Sequence, residues 1–392
     1  MSTRQIIKNK LDIIVQKSFQ REPFYASDTA EKNAVKNAKE CLKRPITMES
    51  VPVKVRLELT NSCNLNCVFC YRPHFKTMDK SVLTLQDIKI LSPLLKTAKF
   101  ITLAQKCESL ISPNIIDILD AVGKYKAVIS LYTNGQLLDK KISEALIRNK
   151  VTFLTISCSA FNDDYQKFHR GGKFRKLVDN ISALNELKRK YNSNTPRLRL
   201  SFVLRKDTID YLDDALEFVK KYYFREGIQI LLFFRVAEED KHLELIFNWE
   251  RYKPIVDSFI AKAEKENILT DFSIDVPKNM RPSLPEQYTK LCYETWETFN
   301  VTPCGNVTPC AQAGAIMGNI RLQKPVMLWN NDNYREFRIR MNKRPYNRDC
   351  IDCWYCRYIS PFVQGDKLVR LNKIFDSFYR IKPGGIKIEK AD

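Results

Sequence analysis

Six short runs rich in β-branched and aromatic residues, each separated from the next by a stretch of helical periodicity, constrain this chain more than any other feature. In the first, Val53, Val55, Leu57 and Leu59 alternate with Lys54, Arg56 and Glu58, the two-residue period of a strand with one apolar face. The others lie at 99–104, 127–132, 151–157, 198–204 and 228–234, with helical segments near 84–96, 113–124, 139–149, 174–190 and 209–224. Strands alternating with helices predict a parallel sheet, because parallel neighbours need a right-handed helical crossover. Six units are too few to close an eight-unit barrel. The predicted fold is therefore α/β, either an open partial (β/α)6 barrel of the TIM type or a doubly wound sheet. Both place ligand chemistry just past the carboxyl ends of the strands.

Around this core, assigned to residues 51–270, the chain changes character twice. Residues 1–50 read as a basic helical extension, with Ile6, Ile7, Leu11, Ile14 and Val15 at helical spacing and a weaker amphipathic stretch at 29–43. After a helix near 250–266 and three prolines (Pro277, Pro282, Pro285), residues 286–360 hold six of the twelve cysteines and lose regular periodicity. They are expected to form a separate, small cysteine-rich domain, followed by a basic tail at 361–392. The N-terminus shows no apolar secretion signal, and no run approaches ~18 consecutive apolar residues. The expectation is a cytoplasmic chain whose clustered thiols bind metal rather than form disulfides. With only three histidines (His74, His169, His242), such sites must be thiolate sites. Glycine is scarce, 11 in 392 residues, and neither a Walker A loop nor a dinucleotide-binding glycine fingerprint is present.

Directly after the first strand come Cys63, Cys67 and Cys70, in the spacing C-x3-C-x2-C, on a loop at the strand's carboxyl end. A structural zinc site wants four closed ligands, and His74 follows too soon to be an obvious partner. Three thiolates on a [4Fe–4S] cluster instead leave one iron with an open position, able to bind a ligand and pass it an electron.

With Phe69 in the aromatic place of C-x3-C-x-aromatic-C, the chain resembles the radical S-adenosylmethionine (radical SAM) superfamily over roughly residues 51–235. The resemblance implies a partial six-unit barrel, with Cys63, Cys67 and Cys70 on a cluster whose fourth iron chelates SAM. It implies reductive cleavage of SAM to methionine and a 5′-deoxyadenosyl radical that removes a hydrogen atom from substrate. After the second strand, where the family carries Gly-Gly-Glu-Pro, this chain keeps only the acid, Glu108, which the resemblance places near the SAM amino group. Both glycines and the proline are missing, and Lys106 has a choice between an ion pair elsewhere and the SAM carboxylate. Thr133, Asn134 and Gly135 match a family turn. Ser157, followed by Tyr165 and Arg170, matches a pattern in which the serine approaches the ribose and the arginine the SAM carboxylate.

The second constellation comprises Cys292, Cys304, Gly305, Cys310, Cys350, Cys353 and Cys356. The segment around Gly305 predicts a hairpin bringing Cys304 and Cys310 near one another. Two cysteine pairs also suit a zinc ribbon. The pattern looks like the SPASM/twitch extension of radical SAM enzymes, and that resemblance assigns Cys292, Cys310, Cys350 and Cys353 to one auxiliary [4Fe–4S] cluster. Cys304 and Cys356 stay unassigned. Cys41 and Cys158 are expected to be buried as small hydrophobes, and Cys107, beside Glu108, is a weak catalytic candidate.

The net charge is +20, with six basic residues between Arg335 and Arg348, read as a solvated helix face or as a surface for an acidic partner. No RNA-binding module is legible, and nucleic acid is the weakest partner. Three functions compete: a radical SAM enzyme that oxidises or cross-links a peptide, a related dehydrogenase acting on a sugar, aminoglycoside or other small metabolite, and a zinc- or iron–sulfur-stabilised scaffold. Either enzyme needs SAM and an external electron donor such as flavodoxin or ferredoxin.

Overall fold

The structure, a computed structural model, describes residues 27–70, 80–103, 106–233, 238–272, 294–311 and 314–342. The helical reading of Ile6 to Val15, the basic tail, His74, Cys292, Cys350, Cys353 and Cys356 lie outside the described residues.

Strands β1 (Lys54–Leu57), β2 (Phe100–Leu103), β3 (Val128–Thr133), β4 (Phe153–Ser157), β5 (Arg197–Leu204), β6 (Ile228–Leu232) and β7 (Thr270–Phe272) pair in parallel in that spatial order. Each neighbour in space is the next in sequence, so every right-handed crossover places its helix on the same face of the sheet. That order decides between the two predicted architectures. A doubly wound sheet reverses direction part-way, whereas this one does not, and the result is a partial barrel. The seventh strand extends the predicted six. It is only three residues long and follows the helix Trp249–Lys265, too short for a two-residue period to stand out.

Along the apolar face, Val55, Leu57, Ile101, Leu103, Leu131, Leu154, Ile156, Leu198 and Leu200 are buried in one cluster with helix residues such as Ile118, Leu146 and Leu184. Burying each such side chain is worth ~1.5–3 kcal/mol before entropy is counted. The register puts Lys54, Arg56, Thr102, Ser130, Tyr132, Thr155 and Arg199 on the opposite, inner face.

The sheet does not stop at β1. β8 (Thr298–Val301) pairs in parallel with the other edge of β1, and β9 (Asn306–Thr308) and β10 (Gly318–Asn319) continue antiparallel, making ten strands. The cysteine-rich segment, expected as a separate domain, is thus stitched to the barrel through β1. Its helix Glu294–Glu297 supplies the counter-charges that the inner face of β1 needs. Lys54 pairs with Glu297, and Arg56 reaches Glu294 at 2.5 and 3.3 Å. Burial alone would push the Glu294 carboxyl up, but the Arg56 and Lys54 charges outweigh it and hold the group down at about 2.

The segment after the N-terminal helix Asp28–Lys43 straps this junction. Asn330 exchanges hydrogen bonds with the backbone of Met48 (2.9 and 2.7 Å), the Trp329 indole donates to Ser50 O, and the Trp296 indole donates to Pro45 O. Arg338 corrects the reading of the Arg335–Arg348 region as a solvated face. It is fully buried between the rings of Trp329 (4.5 Å) and Tyr334 (5.1 Å), donating to Ile46 O, Thr295 O and Asn330. Its neighbours Arg335 and Arg340 do face solvent, each paired with an acid on the same helix.

A folded-state value of about 2 for Glu294, against an ordinary 4.5, means that its stabilisation is complete above pH 4.5 and is lost as the pH falls toward 2. Removing one partner from a buried pair costs ~3–5 kcal/mol. Glu294→Gln is therefore expected to lose about 3 kcal/mol at pH 7 and to show a flatter loss of stability between pH 4.5 and 2 than the parent, measured by urea unfolding across that range.

Candidate active site

The loop carrying Cys63, Cys67 and Cys70 is closed at its base, where Thr60 bridges Val82 and Asn61 accepts from the Ser81 N–H at 3.0 Å. On its other side it is zipped to the segment after β4. The Asn66 N–H donates to Arg170 O and the Val68 N–H to Phe168 O, both at 2.9 Å. The three thiols are partly exposed, and polar groups approach the sulfurs of Cys63 and Cys67. Asn134 Nδ2 lies 3.8 Å from Cys63 Sγ, the Leu65 N–H lies 3.5 Å from the same atom, and His169 Nδ1 lies 3.6 Å from Cys67 Sγ. The Phe69 and His169 rings meet nearly at right angles, 5.2 Å between centroids.

His169 is the residue that sequence reasoning missed, being legible there only as one of three scattered histidines. Its signal is its place immediately before Arg170, in the segment that packs on the cysteine loop. Burial pushes its imidazole down to about 3, so it is neutral at any physiological pH.

Glu108 is the hub of the opposite wall. One percent exposed, it accepts from the Thr133 hydroxyl (2.7 Å), the Asn134 N–H (2.7 Å) and the Leu110 N–H (3.1 Å), while its own N–H donates to Ser62 O. Burial pushes its carboxyl above the usual range, against the three hydrogen bonds that pull the other way. The residues named separately along the chain, Glu108, Thr133 and Asn134, thus form one network joining the ends of β2 and β3 to the cysteine loop. Gly135 closes the turn at φ +75°, where a Cβ would meet Leu177 at 2.4 Å. Lys106 pairs with Glu58 at 3.3 Å, both side chains being buried, and Asn300 of β8 reaches Glu58 at 3.5 Å.

Ser157 ends β4 on the inner face, partly exposed. Arg170 is exposed and lines a cavity of about 450 Å³ with Val68, Lys167, Phe168, Arg205, Asp207 and Asp240. Cys41 and Cys158 are buried as expected, and burial raises both thiols. Cys107 is partly exposed. The predicted hairpin forms from β8 and β9, with Gly305 at φ +81° in its turn. It sets the two cysteines apart, because β9 runs between them. Cys304 sits in the turn, donating to Ser81 Oγ at 3.3 Å, whereas Cys310 lies past the far end of β9, against the core and within electrostatic reach of Arg56 and Tyr334.

The donor chemistry suits an iron–sulfur cluster. Among the described residues no three His, Cys, Asp or Glu side chains converge closely enough to hold a single metal ion. A cubane instead takes its thiolates at separate corners, and the N–H groups aimed at Cys63 and Cys67 are the partners that thiolate ligands need.

Comparison with known proteins agrees. Residues 57–219 match the Radical SAM superfamily, and residues 292–354 match the SPASM iron-sulfur cluster-binding domain. The chain thus carries a domain of the radical SAM superfamily. Within it, the chain is of the kind that carries a C-terminal SPASM domain, a pair of domains that uses SAM, a SAM-binding [4Fe–4S] cluster and auxiliary iron–sulfur chemistry. It is 29% identical to a GTP 3',8-cyclase of Listeria welshimeri over 178 residues, 42% of this chain and 50% of the relative, so that the chain spans about half the length of that relative. It is 25% identical to an AdoMet-dependent heme synthase of Methanosarcina barkeri, over 82% of this chain and 96% of the relative. The fold resembles Streptococcus suis SuiB bound to S-adenosylmethionine, with a TM-score of 0.61 and 14% identity over 90% of this chain and 83% of SuiB. No helix among the described residues is long and apolar enough to cross a membrane.

Because Glu108 alone satisfies three buried donors, Glu108→Ala strands the Asn134 and Leu110 N–H groups and the Thr133 hydroxyl. At ~1–3 kcal/mol for each unsatisfied group, the variant is expected to lose at least about 3 kcal/mol of stability. Chemical denaturation of the cluster-free chain measures it. A loss below ~1 kcal/mol contradicts the hub role.

Proposed function

We propose that this chain is a radical SAM maturase that takes a hydrogen atom from a peptide substrate, with one auxiliary [4Fe–4S] cluster assisting the oxidation that follows. The observation that carries the reading is the set of three partly exposed thiols past β1, on a loop zipped to the segment after β4, with polar groups approaching the Cys63 and Cys67 sulfurs.

When bound, the cluster would supply one electron, drawn from an external donor, for cleaving SAM to methionine and a 5′-deoxyadenosyl radical, which would take the substrate hydrogen. Cys63, Cys67 and Cys70 would hold the cluster through three thiolates, leaving one iron open for SAM. Glu108 keeps lone pairs beyond its three hydrogen bonds, and with Thr133 and Asn134 it shapes the wall that receives the SAM amino group. Phe69, Ser157 and Arg170 provide the remaining SAM contacts, Arg170 from the rim of the cavity beside Val68. Cys292, Cys310, Cys350 and Cys353 hold the auxiliary cluster.

A peptide substrate is supported by the likeness in fold to SuiB, which has also been solved bound to a precursor peptide, SuiA. A small-metabolite substrate is the second reading, favoured by the heme synthase match along nearly the whole of that relative.

Anaerobic reconstitution is expected to load about eight irons per chain, two cubanes, and to produce 5′-deoxyadenosine from SAM and a reductant. Replacing Cys63, Cys67 and Cys70 by Ala is expected to abolish 5′-deoxyadenosine, followed by mass spectrometry. Replacing Cys350 and Cys353 is expected to leave SAM cleavage intact while halving the iron. Zinc without iron in the loaded protein sinks the assignment. Deuterium passing into 5′-deoxyadenosine from a labelled peptide, or from a labelled small metabolite, decides between the two substrate readings.

A further inference from the structure

We infer that His169 is a fixed, neutral hydrogen-bond donor to the Cys67 sulfur, and that it raises the reduction potential of the cluster held by Cys67. The inference rests on the reading of Cys67 as a cluster ligand and adds a tuning residue to it.

The tautomer follows from a backbone donor. The Ser159 N–H lies 3.0 Å from His169 Nε2, and a peptide N–H can only donate. Nε2 is therefore a bare acceptor, and the single proton of the neutral ring sits on Nδ1. Nδ1 faces Cys67 Sγ at 3.6 Å, a reach suited to an N–H···S hydrogen bond.

The ring has little freedom to do otherwise. It is 1% exposed and stacked on Tyr165 with centroids 4.5 Å apart and planes 12° from parallel. The Tyr165 hydroxyl is held by Gln136 Nε2 at 3.2 Å, and Gln136 is locked to the Lys173 backbone through both ends of its amide. A Cβ on Gly172 would come within 2.8 Å of the Tyr165 ring, so the segment after His169 closes tightly over the stack. Ser159 is fixed in turn, since its hydroxyl accepts from the Val203 N–H of β5 at 2.9 Å. A chain of contacts thus runs from the barrel strands to one sulfur.

Adding an electron to a cluster increases the negative charge on its sulfurs. A donor aimed at one of them binds the reduced state more strongly than the oxidised state and so raises the potential. Burial of the His169 ring, 1% exposed, keeps the interaction strong, because the donor is shielded from water.

Two measurements test this. In the cluster-free wild-type chain labelled with 15N-histidine, the His169 resonances, assigned by their loss in His169→Phe, are expected to show the Nδ1–H tautomer. The Nε2–H tautomer overturns the inference. In the reconstituted protein, a dye-mediated potentiometric titration read on the electron paramagnetic resonance signal that added SAM alters, the signal of the cluster with an open iron, gives the midpoint of the cluster on Cys67. His169→Phe keeps the ring and removes the donor. It is expected to lower the reduced-to-oxidised ratio at fixed poise about tenfold, a shift of ~59 mV for a one-electron couple. His169→Asn, whose amide nitrogen can occupy the place of Nδ1, is expected to recover most of that shift. A midpoint that is unchanged or raised in His169→Phe, at wild-type iron content, overturns the inference. If Cys67→Ala loads the same iron as wild type, the ligand assignment fails instead, and the tautomer measured without iron still decides the geometry of His169. Should His169→Phe not fold, the tautomer, assigned through His169→Asn, decides between the two outcomes.

Discussion

Strand β1 and the residue just past it carry three charges on the inner face, and the rest of the molecule is arranged around neutralising them. Lys54 and Arg56 take Glu297 and Glu294 from the short helix before β8, and Glu58 takes Lys106 from the loop after β2. Left uncompensated in the interior, such charges cost several kcal/mol each. The barrel is thus electrostatically complete only when the C-terminal segment has docked, and the docking is locked by backbone pairing of β8 to the outer edge of β1. Hydrogen bonds from Asn330, Trp296 and Trp329 to residues 45–50 close the same junction from outside.

The cysteine loop hangs from the end of this strand, so its position inherits that order. Buried polar networks then fix its surroundings rather than the thiols themselves. Glu108 ties the ends of β2 and β3 to Ser62 next to Cys63, and His169 ties the end of β4 to Cys67. Both are almost fully buried, while the three thiols stay partly exposed. Rigid partners around accessible sulfurs are what a metal centre requires, because the ligands are oriented by groups that are themselves immobile.

The same network holds Glu108 in a loop that lacks the glycines and proline. Here a side-chain hydroxyl and two backbone N–H groups grip the carboxylate directly, and Lys106 is drawn away to Glu58. The surface-charge reading divides in a similar way. Arg335 and Arg340 lie on a solvated face, but Arg338, three residues from one and two from the other, is a buried link between the rings of Trp329 and Tyr334 and the strap at Ile46. Its helix carries basic residues on both faces, and their spacing does not distinguish the face that packs.

By itself the sequence determined the alternating α/β order, the place of the thiol loop at a strand's carboxyl end, and the burial of Cys41 and Cys158. These depend on local periodicity and on residue chemistry, which a linear string carries. Only the tertiary structure decided that the strands follow one another without reversal, that β8 pairs with β1 from the far end of the chain, that β9 sets Cys304 apart from Cys310, and that His169 faces Cys67. Each of these is a pairing between groups distant in sequence or on opposite sides of a strand, and no local pattern specifies a partner. A lone histidine among aromatics becomes a donor to sulfur only once the ends of β4 and β5 place a backbone N–H against its other nitrogen.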